Sequence, residues 1–249
     1  MPFTFLVRCL AALSLAVAVP ASAAETHIAV AANFTEPARE ITAGFEKATG
    51  HKAVLAFGAS GAFYTQISHG APFDILLSAD AERPARIEQD GLAVRGTRFT
   101  YAVGQLALFS TTPGLVDSRG AVLKRGAFDK VAIADPVTAP YGAAAIETMR
   151  KLGVYDVLKP RIVTGSSIAQ AYQFVSTGAA QIGFVALSQV IGVPGGSRWI
   201  VPARLHSPID QQAVLLKTGE DNPAARAFLK YLKSRPALMI IRRYGYAVK

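Results

Sequence analysis

The sequence predicts an α/β protein with mixed, mainly parallel sheets, and three observations support this. Short apolar strand patterns alternate with amphipathic helix patterns along almost the whole chain. Hydrophobic residues make up 51% of the 249 residues, so the chain can form a large core and is not expected to be disordered. Small or polar residues stand at several junctions between a strand and the next helix, where open α/β sheets bind ligands.

Residues 1–24 have the pattern of a secretory signal peptide. Arg8 precedes the apolar run CLAALSLAVAV, and small residues follow this run. The run is too short to cross a bilayer, which needs about 20 residues. We expect cleavage after Ala23 or Ala24 and a soluble mature protein outside the cytoplasm. The mature chain has no cysteine, because Cys9 lies in the leader.

The first half of the mature chain contains three strand–helix pairs. Strands are predicted at 27–32, 52–57 and 73–78. The helix after the first strand ends at Gly50, the helix after the second begins at Ser60, and the helix after the third spans 80–91. The first of these helices is expected to start at Thr35. A start at Asn33 would put Pro37 at the fourth helical position, where its missing N–H loses a hydrogen bond.

The second half continues the alternation. One long strand is predicted at 101–109, and a strand from Val131 leads through a loop into a helix capped by Gly153. The remaining predicted elements are a loop running into a helix at 161–178, strands at 181–188 and 211–217, and a closing helix at 222–233. There is no internal repeat of fixed period and no low-complexity linker.

The charge balance does not indicate a nucleic-acid partner. Lys and Arg number 26 and Asp and Glu 17, so without Arg8 the mature chain has 25 basic and 17 acidic residues. The basic residues are scattered except in the run from Lys230 to Arg243, which we interpret as a solvated helix face. A nucleic-acid-binding protein would combine such charge with stacking aromatic residues and a cytoplasmic location, and the leader argues against that location.

Catalytic and metal-binding patterns are missing from the sequence. The four histidines show neither HxH nor HExxH spacing, and no carboxylate pair has a spacing typical of acid–base catalysis. We therefore predict no catalytic residue and no bare metal ion site.

The stretch FGASGAFYTQI (57–67) places Ser60 between small residues at a predicted helix start. A nucleophile elbow requires GxSxG, but Ala62 stands at the last position. A phosphate loop requires a lysine after the second glycine, and none is there. Two interpretations remain: an N-cap of the helix, or an anion site made of a hydroxyl and free backbone amides.

Three further junctions have similar character. Asn33 has capping-box spacing to Glu36, but a helix start at Thr35 would free its side chain for a ligand. Tyr141 follows the rigid loop DPVTAP, where its hydroxyl either packs at the rim or donates to an anion. Ile168 offers only its backbone amide and an apolar wall.

Six segments in this order carry a family resemblance: AVAANFT, FGASGAFYTQI, GAPFDILLSAD, YAVGQLALFS, IADPVTAPYG and QIGFVALS. Together they closely resemble the periplasmic molybdate-binding proteins that serve ABC transporters, over essentially the whole mature chain. The resemblance implies a type II periplasmic binding protein fold, with two lobes joined by two crossovers and an anion in the cleft. It maps lobe 1 onto 25–103 and 206–249, and lobe 2 onto 104–205.

The resemblance also implies the ligands of the anion. Asn33 and Ser60 would bind it from lobe 1, with the amide of Ala32 nearby. Tyr141 and the amide of Ile168 would bind it from lobe 2.

One branch of the family differs at two of these positions. It has a tyrosine at the position that matches Ala186, a small residue at the position of Tyr141, and a serine at the position of Asn33. Ala186 is therefore not expected to be a side-chain ligand here. Asn33 and Tyr141 both still donate hydrogen bonds, so the site is expected to consist of donors as in that branch.

The implied function is high-affinity binding of molybdate and tungstate in the periplasm for delivery to an ABC permease, by a monomeric, non-enzymatic protein without a cofactor. Molybdenum or tungsten would be bound as the oxyanion. A site made only of donors suits a fully ionised anion, whereas hydrogen phosphate carries a proton that needs an acceptor. Two alternatives stay open: a binding protein for another tetrahedral oxyanion such as sulfate, and a secreted serine hydrolase that uses Ser60.

Overall fold

The computed structural model describes residues 23–248. The predicted signal peptide, with Arg8 and Cys9, lies outside the described residues except for Ala23 and Ala24. In the described part of the chain, no helix combines the length and the apolar character needed to cross a membrane.

Ten strands are described. They are β1 (Glu25–Ala31), β2 (Lys52–Gly58), β3 (Ile75–Ser78), β4 (Phe99–Gly104), β5 (Leu106–Ser110), β6 (Val131–Ala134), β7 (Ile162–Gly165), β8 (Ile182–Ala186), β9 (Ser197–Ile200) and β10 (Ile209–Leu215).

Ten α-helices accompany them. They are α1 (Thr35–Thr49), α2 (Ser60–Ser68), α3 (Glu82–Gln89), α4 (Val122–Arg125), α5 (Pro140–Lys151), α6 (Tyr155–Leu158), α7 (Ile168–Ser176), α8 (Leu187–Val190), α9 (Pro223–Leu232) and α10 (Arg235–Arg243). Four short 3-10 turns complete the described chain, at Ala32–Phe34, Lys159–Arg161, Ala203–Leu205 and Lys217–Gly219.

The strands form two five-stranded sheets. The first has the order β2-β1-β3-β10-β4 and the second the order β7-β6-β8-β5-β9. Among the described residues, each sheet has two parallel and two antiparallel pairings. The predicted α/β fold with mixed sheets is confirmed, but the sheets are not mainly parallel, because half of these pairings are antiparallel.

Helix α1 illustrates how the sequence specifies an element. It begins at Thr35, as predicted, so that Pro37 lies in the first turn, where a missing N–H breaks no intrahelical hydrogen bond. It ends before Gly50, whose φ of 75° gives the left-handed cap that glycine adopts without strain. The face that it buries consists of Pro37, Ala38, Ile41, Thr42 and Phe45.

The segment 101–109, predicted as one strand, is two strands in different sheets. β4 ends at Gly104 in the first sheet, β5 begins at Leu106 in the second, and Gln105 connects them. Both strands are largely buried, so the apolar pattern runs on through the point where the chain changes sheets.

Two strands, β7 and β9, and four helices, α4, α6, α8 and α10, are absent from the sequence prediction. β7 falls in a segment predicted as a loop, and its first three residues are not fully buried, which weakens the apolar signal. β9 has four residues, of which only Trp199 is buried. Helix α10 follows α9, which was predicted to close the chain.

The basic side chains at Lys230, Lys233, Arg235, Arg242 and Arg243 are exposed, which confirms the predicted solvated face.

The chain changes sheets at Gln105 and again between β9 and β10. This supports the division into two lobes that was proposed from the sequence, which stays a proposal. We call residues 25–103 and 206–249 lobe 1, and residues 104–205 lobe 2. The lobes are in direct contact across the cleft. Ala31, Ala32, Ala59 and Ala79 of lobe 1 pack into the same apolar cluster as the core of lobe 2, which positions the site described next.

Candidate functional site

All five site residues predicted from the sequence line one cavity between the lobes. Ala32, Asn33 and Ser60 reach it from lobe 1, and Tyr141 and Ile168 from lobe 2. The cavity volume is only about 10 Å³, far below the range of roughly 300–1,000 Å³ that holds drug-sized ligands. It therefore suits a small solute.

The rest of the wall is small and uncharged. The other lining residues are Ala31, Gly58, Ala59, Ala79, Ala139 and Pro140. None of the eleven lining residues carries a charge, so neither a cationic nor an acidic side chain faces a ligand there. Small side chains let the backbone approach the cavity closely.

Four helical segments begin at this cavity. They are the 3-10 turn Ala32–Phe34, α2 at Ser60, α5 at Pro140 and α7 at Ile168. The N–H groups in the first turn of a helix have no acceptor within that helix, and the helix dipole puts partial positive charge there. The two lobes together therefore direct several N–H donors at one point, as an oxyanion requires.

Ser60 is not the N-cap of α2, so that interpretation is wrong. The N-cap is Ala59, and Ser60 is the first helical residue. Its Oγ accepts a hydrogen bond of 2.9 Å from the N–H of Ala79, which follows β3, and the side chain is buried. Because the oxygen already accepts, the hydroxyl proton is left to donate to a ligand.

Asn33 differs from the sequence expectation. Although α1 starts at Thr35, the side chain of Asn33 is not free. Its Nδ2 donates to Gln211 Oε1 at 3.0 Å and to the hydroxyl of Tyr246 at 2.9 Å. Both amide protons are thereby used within the protein, which leaves the backbone N–H of Asn33 as its donor towards the cavity.

Tyr141 is fully buried, and its hydroxyl also contacts the protein. It accepts a hydrogen bond of 3.2 Å from Gln211 Nε2. Burial raises the pKa of Tyr141 well above its usual value, and the nearby hydroxyls of Tyr246 and Tyr101 add to this rise, so the group stays neutral. At the second position of α5, its backbone N–H is a first-turn donor.

Ile168 and Ala32 can offer only backbone amides. Ile168 is the first residue of α7, whose N-cap Ser167 accepts from the N–H of Gln170 at 3.4 Å. Ala32 opens its 3-10 turn. Ala186 is not among the residues that line the cavity.

The glycine after Ser60 lies where the lobes touch. The N–H of Gly61 donates to the carbonyl of Thr138 across the cleft at 2.9 Å. A Cβ on Gly61 would lie 2.9 Å from Thr138 Cα, closer than real Cβ atoms approach backbone, and 3.1 Å from the carbonyl oxygen of Thr138. Beside this contact, Arg83 forms an ion pair with Asp80 and donates to the carbonyl of Val137 at 2.7 Å. We call these two links the rim contacts.

Sequence reasoning missed Gln211, which contacts both Asn33 and Tyr141. It is fully buried in β10, on the same face as Ile209 and Ala213. That period-2 pattern is the signal that could have indicated an inward-facing amide.

No metal-binding cluster accompanies the cavity. Within residues 23–248 there is no group of three or more His, Cys, Asp or Glu side chains that could hold a metal ion.

The sequence and the structure both match known proteins. Residues 26–247 match the family described as bacterial extracellular solute-binding protein. The chain is 59% identical to the molybdate-binding protein ModA of Rhodobacter capsulatus, over 96% of this chain and 94% of the relative. It is 53% identical to a molybdate-binding protein ModA of Azotobacter vinelandii, over 93% of each chain.

Solved structures extend the match to the fold. A periplasmic molybdate-binding protein from Azotobacter vinelandii superposes with a TM-score of 0.88 at 39% identity, covering 90% of this chain and 99% of that one. The sulfate-binding protein SubI of Mycobacterium tuberculosis has a TM-score of 0.75 at 14% identity, covering 90% of this chain and 86% of that one. At that identity, the likeness shows the fold alone.

Proposed function

Because the chain belongs to the bacterial extracellular solute-binding proteins, and among them to the molybdate-binding proteins, we propose that it binds molybdate between its lobes and delivers it to an ABC permease. The observation that carries this proposal is the convergence of four helix starts from two lobes on one small cavity with no charged side chain in its wall.

Neutral donors are sufficient for such an anion. A doubly charged anion left unpaired in a dry interior would cost tens of kcal/mol. Each hydrogen bond to a charged oxygen contributes about 1.5–3 kcal/mol. The ligand set that we propose consists of the hydroxyl of Ser60 and the backbone amides of Ala32, Asn33, Tyr141 and Ile168. The donors come from both lobes, so binding also favours the closed cleft.

The same geometry supports a preference among anions. Molybdate and tungstate are fully ionised tetrahedral dianions that need donors alone, so we propose that both bind. Hydrogen phosphate keeps one proton, and none of the eleven lining residues supplies a carboxylate to accept it. Sulfate has the right charge but is smaller, so it would make longer hydrogen bonds in a cavity shaped for molybdate.

Hydrolysis by Ser60 is not favoured. The lining residues include no histidine or carboxylate that could act as its general base, and the relatives named above are binding proteins. The predicted leader, together with the periplasmic relative, supports a periplasmic location.

Isothermal titration calorimetry of the mature protein with molybdate, tungstate, sulfate and phosphate tests this function. We expect tight binding of molybdate and tungstate, and binding of sulfate and phosphate that is weaker by at least tenfold. A preference for phosphate, or heat from sulfate but none from molybdate, would overturn the proposal.

A further inference from the structure

Behind the cavity, six polar side chains from both lobes form a hydrogen-bonded group, which we call the interlobe polar cluster. Its members are Asn33, Tyr101, Tyr141, Ser188, Gln211 and Tyr246, and all six are buried. Buried polar groups are costly unless they are paired. A cluster of this kind therefore holds its members in one arrangement.

Gln211 is at the centre of the cluster. Its Oε1 accepts hydrogen bonds from Asn33 Nδ2 at 3.0 Å and from the hydroxyl of Tyr101 at 2.9 Å. Its Nε2 donates to the hydroxyl of Tyr141 at 3.2 Å. One side chain thus joins a cavity residue of lobe 1 to a cavity residue of lobe 2.

A second link fixes the backbone of Asn33. Its carbonyl accepts from Ser188 Oγ of lobe 2 at 2.8 Å and from the hydroxyl of Tyr246 at 2.7 Å. With Nδ2 bound to Gln211 and Tyr246, the side chain and the peptide carbonyl of Asn33 are both held. These contacts restrict both the side chain of Asn33 and the peptide unit that follows it.

The backbone near the crossovers is arranged for this cluster. The pairing of β10 with β4 shifts register between Gln211 and Gln212, so Tyr101 is an extra residue in β4. Bulges of this kind re-aim side chains. β4 leads into the first crossover and β10 follows the second, so Gln211 lies on the strands that join the lobes.

Gly104 keeps the space that the cluster needs. A Cβ at this position would lie 2.2 Å from the hydroxyl of Tyr141 and 2.8 Å from Gln211 Nε2. Any larger residue at the end of β4 would therefore separate the two groups that meet across the cleft.

We propose that Gln211 is a positioning residue of the anion site, which holds Asn33 and Tyr141 in the geometry of the closed cleft without touching the anion. This rests on the proposed function. The hydrogen bond between Gln211 and Tyr141 joins the lobes and breaks when they separate, so it slows release of the anion rather than speeding its capture.

Stopped-flow fluorescence of the mature protein with molybdate tests this role. The matched variants are Gln211→Met, which keeps the length of the side chain but none of its hydrogen bonds, and Tyr141→Phe, which removes only the hydroxyl. Because Gln211→Met removes the hydrogen bond that joins the lobes, we expect it to speed release about tenfold while the association rate stays within about twofold. An unchanged release rate would overturn the proposal.

The double variant distinguishes positioning from direct binding. If the hydroxyl of Tyr141 acts through Gln211, Tyr141→Phe adds little to the release rate in the Gln211→Met background. If the hydroxyl binds the anion itself, the two effects multiply, and the proposal is overturned. A wild-type protein that does not bind molybdate would instead contradict the proposed function.

A glycine variant covers the case in which Gln211→Met fails to fold. Gly104→Ala removes no polar group but pushes Tyr141 and Gln211 apart, so it should also speed release. Its control is Gly192→Ala, at a position where no heavy atom lies within 4 Å of the added Cβ. Equal release rates for the two glycine variants would contradict the role of the cluster.

Discussion

Ser60 combines two roles in a single hydroxyl. Its oxygen accepts from the N–H of Ala79, which fixes the side chain, and its proton is left for a ligand. The sequence alone left both an N-cap and an anion site open and favoured the N-cap, because caps are common and both place a serine at a helix start. The distinction depends on Ala79, which is 19 residues away in the chain.

We expect Ser60→Ala to weaken molybdate binding by roughly 10- to 100-fold, because one hydrogen bond to a charged oxygen is lost. Calorimetry measures the change in Kd. The matched control is Ser234→Ala, at the N-cap of α10, where the serine makes no capping hydrogen bond and lies outside the cavity. Equal affinities for the two variants would remove Ser60 from the site.

At Asn33 and Tyr141, the sequence predicts the positions but not what the side chains do. Both residues lie at a strand–helix junction and both line the cavity. Their side chains, however, hydrogen-bond Gln211, which is 178 residues from Asn33 and 70 from Tyr141. No local pattern carries such a pairing, so the sequence could not show that both amide protons of Asn33 are used or that the hydroxyl of Tyr141 already accepts a hydrogen bond.

Tyr246, a member of the interlobe polar cluster, is expected to make the free energy of unfolding depend on pH. Burial raises its pKa from 10.0 to about 12, because the charged form is poorly solvated. The folded state then holds the proton more tightly than the unfolded state. The stability from this group is fully present below pH 10 and is lost as the pH rises towards and through 12.

We therefore expect the difference in unfolding free energy between wild type and Tyr246→Phe to stay constant from pH 7 to 9. It should then fall by about 2 kcal/mol on approaching pH 12. Urea unfolding followed by circular dichroism measures both curves. Tyr155→Phe, at a half-buried tyrosine outside the cluster, controls for the general alkaline response. Parallel curves for wild type and Tyr246→Phe would contradict a raised pKa.

Among the elements, α2 shows why the first residues of a helix need small side chains where the two lobes touch. Its second residue, Gly61, donates to the carbonyl of Thr138 in the other lobe, and a Cβ there would meet the backbone of Thr138. The glycine in FGASG is thus explained by the approach of the lobes and not by a phosphate loop.

Gly61→Ala should weaken molybdate binding on the order of tenfold, because the rim contacts cannot form without a shift of backbone. Folding should be little affected, since alanine is a better helix former than glycine. Calorimetry gives the affinity and a thermal melt gives the stability, with Gly192→Ala as the control. If both glycine variants bind alike, closure of the cleft does not need the contact between Gly61 and Thr138.

The elements predicted best are those with one buried face. α1 starts at the predicted residue, since its apolar spacing and Pro37 act locally. The segment 101–109 was predicted as one strand, because a strand buried on both faces shows no alternation that would mark its change of sheet at Gln105. β7 and β9 are short and lie at the edges of their sheet, where the apolar signal is weak.

At the scale of the whole molecule, the proposed binding depends on two lobes that meet at one cavity. Each lobe brings helix starts to the cavity, and neither provides a complete set of donors alone. Both the interlobe polar cluster and the rim contacts join the lobes, so we expect binding and closure to be coupled. The alternation of strands and helices and the ordered family motifs predicted the overall arrangement. They did not predict the side-chain hydrogen bonds between the lobes.

A crystal structure of the mature protein with molybdate, located by the anomalous signal of molybdenum, tests the central claim most directly. We expect the metal atom in the cavity, with its oxygens within about 3.2 Å of the Ser60 hydroxyl and of amides at Ala32, Asn33, Tyr141 and Ile168. Molybdenum beside a lysine or an arginine, or in a place away from these helix starts, would contradict it.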